Sequence, residues 1–200
     1  YELLVTSLKE MIPATVQKVL ISAVITNAEE IAKWLIGDNG IVVTGPELLP
    51  TERSVAFVSW KTQVGQLHFV VPENPDEEEF FVPRVIESSL LRRRPRESTQ
   101  RRFPEKDDNQ SVALYLGLKL VSNGAVAIFC GRKDTATGLC DGLVDVLDRG
   151  LEMQMPVAFS DSQETERLAH IYGRNLGAGA AAARAAKFGA FTHHGNTPHG

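Results

Sequence analysis

The chain has few of the features that define membrane or secreted proteins. Its 200 residues include only two cysteines, Cys130 and Cys140, which are too few for a disulfide framework. No apolar run approaches the roughly 18 residues that a bilayer-spanning helix needs, and the most hydrophobic stretch, residues 19–25, is far shorter. A basic segment followed by an apolar one, as in a secretory signal, is missing as well. These absences predict a cytoplasmic protein with no membrane association.

An excess of positive charge is also missing, since 21 basic residues are opposed by 25 acidic ones and the net charge is −4. This balance argues against nucleic-acid binding by overall charge alone, although a local basic channel is compatible with it. The charges are unevenly placed, with an acidic block at residues 76–79 and an arginine-rich block at residues 92–102. The blocks fit a solvated connection in which they screen one another, or a basic arm that contacts phosphates.

Motifs for nucleotide and serine hydrolysis are absent. The phosphate-binding loop Gly-x-x-x-x-Gly-Lys-[Ser/Thr] does not occur, and residues 131–135 lack its spacing. The acidic block lies in a proline-containing connection rather than at a strand end, so it does not make a Walker B motif. A Gly-x-Ser-x-Gly element is missing, and no nucleophile and base are recognisable together. The chain alone is therefore not predicted to hydrolyse ATP or to be a standalone hydrolase.

The first 45 residues predict a piece of a doubly wound α/β sheet. Pro13 stops an initial helix, and a run of apolar, β-branched residues then indicates a strand buried on both faces. Asn27 and Glu30 have the spacing of a capping box for the next helix, which Gly37 ends. The predicted elements are a helix over 1–11, a strand over 18–25, a helix over 27–37 and a strand over 41–44.

The middle of the chain predicts a β-hairpin followed by a connection. Two strand-like runs, residues 54–60 and 66–71, flank a short polar segment. Residues 72–109 are highly charged and contain several prolines, and within them the apolar residues of 80–91 predict one docking helix.

From residue 111 the α/β pattern resumes. Asp134 is predicted to cap one helix, and Asp161 together with Glu164 is predicted to open another. Gly189 is expected to end an alanine-rich helix. The predicted elements are helices over 112–121, 134–147, 161–175 and 178–187, and strands over 126–130, 157–159 and 190–192.

Three segments together resemble superfamily 2 DEAD/DEAH-box helicases, most closely the superkiller-like branch. Residues 19–35 resemble the Leu-Ser-Ala-Thr segment with the Asn-Ala-Glu-Glu helix that follows it. Residues 126–135 resemble motif IV of the second RecA-like lobe, and residues 188–195 resemble the Gly-…-His-His-Ala-Gly-Leu element of that lobe. Their order in the chain matches the order in the family.

The resemblance implies an internal fragment with parts of two RecA-like parallel-sheet lobes. Residues 1–45 would be the C-terminal part of lobe 1, residues 46–110 the hairpin and charged inter-lobe connection, and residues 111–200 the N-terminal part of lobe 2. The implied parent is an ATP-dependent helicase that couples ATP hydrolysis to translocation along, or unwinding of, DNA or RNA. ATP and Mg²⁺ would bind the parent, and single-stranded DNA or RNA and the missing halves of the lobes would be the partners.

The resemblance also implies roles for particular residues. Ser22, Ala23 and Val24 would form the motif that couples nucleotide state to lobe closure, although the family more often has threonine at the position of Val24. A serine bonded to neighbouring backbone in a packed core is the other interpretation of Ser22. His193 and His194 would contact the nucleic-acid strand. With His199 they match no zinc-ligand spacing, so no metal site is predicted.

A phosphate cradle is predicted where the strand over 126–130 leads into a helix. Arg132 and Lys133 supply two cations beside Thr135, and the helix start supplies free N–H groups and a favourable dipole. Solvated loop charges are the alternative interpretation. For the chain as a whole, the alternative function is a non-catalytic α/β module of helicase ancestry that binds a partner protein through residues 72–109.

Overall fold

The computed structural model describes residues 2–13, 15–21, 27–43 and 53–195. The chain forms two compact units, Tyr1–Arg53 and Ser54–Gly200. Helices and strands are both present, so the protein belongs to the mixed α/β class.

The first unit contains two helices, α1 (Glu2–Met11) and α2 (Ala28–Ile36), both as predicted. The Lys9 ammonium group donates to the Trp34 carbonyl at 2.6 Å and lies 5.5 Å from the centre of the indole ring. Gly37 follows α2 with a φ of 93°, as a helix-ending glycine does. The predicted capping box is wrong, because the side chain of Asn27 bonds to no backbone N–H of the helix.

The predicted strands of this unit are not formed where the structure describes them. Residues 18–21 and 41–43 have irregular backbone, and the rest of both predicted strands lies outside the described residues. A strand buried on both faces requires neighbouring strands and covering helices. The part of this unit that the structure describes contains no strand, and α2 has no buried residue.

The second unit begins with a three-stranded antiparallel sheet, β1 (Val55–Lys61), β2 (Val64–Val71) and β3 (Asn74–Glu87), in that spatial order. The predicted hairpin is confirmed as β1 and β2, with Trp60 opposite Gly65. The predicted docking helix over 80–91 is wrong, since most of it belongs to β3. Phe80 pairs with Phe69 of β2, and their rings stack at 4.6 Å. This cross-strand packing favours the extended form of an aromatic segment.

Two further strands, β4 (Ser89–Leu90) and β5 (Arg102–Phe103), pair antiparallel and close a loop between them. The pairing continues through Leu91, whose N–H donates to the Arg101 carbonyl at 2.9 Å. Leu91 and Phe103 both enter the hydrophobic core. The arginine-rich block is therefore held at its two ends by a small sheet and by core burial.

The remainder of the second unit is a helical layer. It comprises α3 (Asn109–Leu120), α4 (Lys133–Asp148), α5 (Ser162–Leu176) and α6 (Ala181–Ala186), with 3-10 turns at Val121–Asn123 and Pro156–Phe159. Leu118, Leu143 and Ala185 bring α3, α4 and α6 into one core. The Asp161 cap is confirmed, because its carboxylate accepts from the Glu164 N–H at 2.8 Å. Asp134 lies in the first turn of α4 and is not its cap.

The three strands predicted for this layer are wrong. Residues 126–130 and 190–192 have irregular backbone, and residues 157–159 belong to a 3-10 turn. In the described parts of the chain every strand pairing is antiparallel. The missing element is a partner strand: apolar segments can form strands only where other backbone groups pair with theirs.

An ion-pair network joins the arginine-rich block to the end of α4. Arg149, whose side chain is 3% exposed, contacts Glu97 at 2.5 Å and Asp145 at 2.9 Å. Arg94 and Arg101 reach Asp145 at 2.8 and 3.2 Å. The pKa of Glu97 falls to about 2 because Arg149 and the Arg94 N–H donate to its carboxylate, and the pKa of Arg149 is raised by the same contact.

We expect Gly189→Ala to be far more destabilising than Gly150→Ala. Both glycines have positive φ, 83° and 73°, so alanine at either position costs about 1–2 kcal/mol of backbone strain. Only at Gly189 would the added Cβ meet backbone, 2.6 Å from the Val157 nitrogen, which raises the expected cost to about 3 kcal/mol or more. Urea unfolding of the two variants measures the difference, and equal costs would contradict the close packing at Gly189.

We expect the chain to lose stability in acid as the Glu97 carboxylate becomes protonated. A carboxylate whose pKa is lowered in the folded state stabilises it above the usual value of 4.5, and this contribution is lost as the pH falls from 4.5 towards about 2. Glu97→Gln should therefore lower the urea midpoint at neutral pH and flatten its decline across that window. Glu166→Gln, at an exposed residue, is the control. If the urea midpoint of Glu97→Gln fell as steeply as that of the wild type from pH 4.5 towards about 2, this role of Glu97 would be contradicted.

Candidate functional site

A cavity of about 740 Å³ lies beside α3 and α4 in the second unit. Leu118 and Leu143 contribute apolar side chains from these helices. Two irregular segments, residues 125–131 and 189–194, form other walls. The cavity therefore lies where the sequence predicts two strands of a sheet.

Four of the five predicted nucleic-acid-binding residues line this cavity: Arg132, Lys133, His193 and His194. The first two come from the start of α4, and the histidines come from a segment some sixty positions later. Thr135 lies half-buried in the first turn of α4 and is not part of the lining. The tertiary structure thus brings two separate predicted segments to one cavity.

The start of α4 carries the positive charge of the cavity. Arg132 is the residue before the helix and Lys133 is its first residue, and both side chains are exposed. No side chain caps this end, so the first N–H groups of a 16-residue helix are available to an anion. Two cations and a helix N-terminus can together hold one or two phosphate groups.

The histidine segment is positioned by packing against α5. The Tyr172 hydroxyl donates to the Thr192 carbonyl, and its ring meets Phe191 edge to face at 5.6 Å. Gly189 turns the chain into this segment against the 3-10 turn, where the Val157 N–H donates to the Phe188 carbonyl at 2.9 Å. These contacts, rather than strand pairing, place His193 and His194.

Another part of the lining consists of apolar groups and, in the described chain, of backbone without backbone partners. Phe129 is 95% exposed, and Ile128 is partly exposed beside it. Within the described chain, residues 126–131 make no backbone-to-backbone hydrogen bond. An aromatic ring beside two cations is a surface on which a nucleic-acid base can stack while its phosphate is neutralised.

Other predicted site features lie outside the described residues. These are the coupling motif Ser22, Ala23 and Val24, together with His199. Their predicted roles stay predictions.

In the described residues, no group of three or more histidine, cysteine or acidic side chains is placed to hold a metal ion. No described helix combines the length and apolar character needed to cross a bilayer.

The three-stranded sheet carries a polar cluster that the sequence reasoning missed. The imidazole of His68 lies between the Ser59 hydroxyl, 2.8 Å from Nε2, and the Glu78 carboxylate, 2.6 Å from Nδ1. Hairpin register alone could have placed Ser59 near His68. The sequence does not place Glu78 there, because its acidic block predicts a connection rather than a part of β3.

This cluster has the residue types of a nucleophile, a base and an orienting acid, but its geometry favours a structural role. The Gln66 amide lies 2.7 Å from the same Nε2 that faces Ser59, so two groups compete for one imidazole lone pair. None of these residues lines the cavity beside α3 and α4. The cluster joins β1, β2 and β3 by side-chain hydrogen bonds.

The two cysteines differ in their surroundings although both line the cavity. Burial raises the pKa of the Cys140 thiol to about 11, with the Asp141 charge adding to the effect. Cys130 lies in the irregular wall and is half-buried. Since only the thiolate reacts with alkylating agents, Cys140 is protected both by its pKa and by its burial.

We expect iodoacetamide to modify Cys130 and to spare Cys140 in the folded chain. A pKa raised from 9.0 to about 11 lowers the thiolate fraction at neutral pH about a hundredfold. Mass spectrometry of Cys140→Ala and Cys130→Ala, each retaining one thiol, measures the two rates. The difference should vanish in urea, and equal rates in the folded state would contradict the described burial.

A comparison with models of known protein families gives no match, and neither does a comparison with curated protein sequences.

Proposed function

We propose that this chain is part of an ATP-dependent helicase and that its cavity contacts the phosphate backbone of single-stranded DNA or RNA. The observation that carries the proposal is the convergence of Arg132 and Lys133 with His193 and His194 on one cavity. These pairs come from the two segments that resemble elements of a second RecA-like lobe. If the two pairs bind one ligand, they must line one cavity, and they do.

The chemistry of the cavity suits a single strand better than a small anion. Arg132 and Lys133 would neutralise phosphates, and exposed Phe129 would stack on a base, an interaction that contributes about 1–3 kcal/mol. Neither contact reads a base edge, so the site would tolerate many sequences. Because a 2′-hydroxyl contact is not needed, DNA and RNA are both acceptable ligands.

The finer fold assignment is part of the same proposal. In a complete RecA-like lobe, strands from the missing half would pair with residues 126–130 and 190–192, giving the parallel sheet that the resemblance implies. The unpaired backbone of residues 126–131 supports this interpretation. ATP and Mg²⁺ would bind the parent protein, with Ser22 in the coupling motif, and the parent would be cytoplasmic.

A second candidate is a non-catalytic module that binds a partner protein. The observation in its favour is the exposure of large apolar side chains on β1 and β3, among them Phe57, Phe80 and Phe81, each about half exposed. Phe57 and Phe81 both pair with His68 of β2 and therefore share one face of the sheet, and an exposed apolar patch of this kind often marks a protein interface. This candidate predicts partner capture through residues 72–109 and no affinity for nucleic acid.

We expect Arg132→Ala with Lys133→Ala to weaken oligothymidylate binding about tenfold or more at low salt. Loss of two phosphate contacts should also reduce the slope of log affinity against log salt by about 1.4, at about 0.7 per contact on a single strand. Fluorescence anisotropy across a salt series measures both quantities.

The matched control is Lys106→Ala with Arg174→Ala, which removes the same charge from exposed positions outside the cavity lining. It should leave the affinity close to that of the wild type. Bound oligothymidylate should also protect Cys130 from iodoacetamide. Equal affinities for the two double variants, without protection of Cys130, would exclude the cavity as the binding site.

A further inference from the structure

A second concavity, of about 600 Å³, lies at the far end of α4. Five arginines and two carboxylates line it together with Pro95. The arginines are Arg92, Arg93, Arg94, Arg96 and Arg149. They come from the arginine-rich block and from the residue that follows α4.

The acidic groups around this concavity are already used in ion pairs. Glu97 is held by Arg149, and Asp145 by Arg149, Arg94 and Arg101. Asp148 lies 3.8 Å from Arg94. Three carboxylates therefore face three guanidinium groups, and the remaining arginines of the lining are in excess.

The excess charge belongs to Arg92, Arg93 and Arg96. Arg93 donates to the carbonyls of Glu97 and Ser98 and so carries its charge without an acidic partner. In the part of the chain that the structure describes, the guanidinium groups of Arg92 and Arg96 have no hydrogen bond or ion pair. Both side chains are exposed at the rim.

Backbone contacts fix the turn that carries these side chains. The Glu97 N–H donates to the Arg94 carbonyl at 3.2 Å, and the Glu97 carboxylate accepts from the Arg94 N–H at 2.8 Å. Arg149 also donates to the Arg92 carbonyl at 2.9 Å. The backbone of the turn is therefore ordered before a ligand binds, which favours affinity.

Arg96 occupies a position that suits glycine better. Pro95 precedes it, its φ is 78°, and the flanking residues make the hydrogen bond of a β-turn, as in a type II turn. A side chain at that φ is strained. Arginine here presents a guanidinium group at the rim at the expense of local backbone stability.

We propose that this concavity is an anion-binding site that holds a phosphate group between Arg92, Arg93 and Arg96. Guanidinium groups bind phosphate oxygens through paired, charge-assisted hydrogen bonds, and three uncompensated ones suit a doubly charged group. The phosphate can belong to a nucleic-acid strand or to a free phosphate or pyrophosphate. The inference goes beyond the proposed function, because it uses none of the residues of the cavity beside α3.

The test uses the full chain, with pyrophosphate and oligothymidylate as separate probes in calorimetric titrations. Arg96→Gly should weaken pyrophosphate binding about tenfold, the usual effect of one lost charge-assisted contact. Because glycine accepts the positive φ, its urea midpoint should be unchanged or higher, so the loss cannot result from unfolding. Arg92→Ala should show a similar loss, and Arg174→Ala should show none.

The oligothymidylate titrations identify the source of the phosphate. Weaker binding of both probes, or of oligothymidylate alone, supports a nucleic-acid phosphate, and weaker binding of pyrophosphate alone supports a free one. The loss of pyrophosphate affinity that Arg96→Gly causes should be the same with and without Arg132→Ala and Lys133→Ala, which separates this site from the proposed function. Affinities for both probes that are unchanged in Arg96→Gly and Arg92→Ala would overturn the proposal.

Discussion

Burial of one face of α4 is the interaction on which both candidate sites depend. Cys140, Leu143 and Val146 are removed from water on this face, and the core that they join includes residues from α3 and α6. Sixteen residues of α-helix extend about 24 Å, so the two ends of α4 are well separated. One end presents Arg132 and Lys133, and the other is followed by Arg149. A rigid, well-packed helix thus positions two basic sites that share no residue.

The two ends differ in how their charge is compensated. At the start of α4 the cations are exposed and the helix dipole adds to their field. At its end Arg149 is buried, and Glu97 and Asp145 compensate it. A buried guanidinium group is tolerated only with such partners, since an unpaired one would cost several kcal/mol. The pairing consumes the nearby carboxylates and leaves three arginines of the adjacent turn in excess.

Local signals in the sequence were sufficient for most helices. Asp161 with Glu164, and the glycines at 37 and 189, mark helix boundaries through bonds and φ angles that involve only a few neighbouring residues. The hairpin of β1 and β2 was equally accessible, because a short connection dictates that its strands pair. Each of these elements is determined by residues that lie close to it in the sequence.

Strands that depend on distant partners could not be predicted in the same way. Residues 126–130 are as apolar as a buried strand, yet within the described chain no neighbour pairs with their backbone. Conversely, the charges of residues 76–79 predict a solvated connection where the structure has β3. Cross-strand pairing with β2 outweighs the solvation of this acidic run. In both cases the deciding factor is the presence or absence of a pairing edge.

The sequence by itself determined the residue types of both sites, their order and the helix that begins beside Arg132. Only the tertiary structure decided which of these residues meet. It brought His193 and His194 to the cavity at the start of α4, and it separated the paired arginines of the 92–102 block from the unpaired ones. The physical reason is that ion pairing and burial depend on distance in space, whereas capping and periodicity depend on distance along the chain.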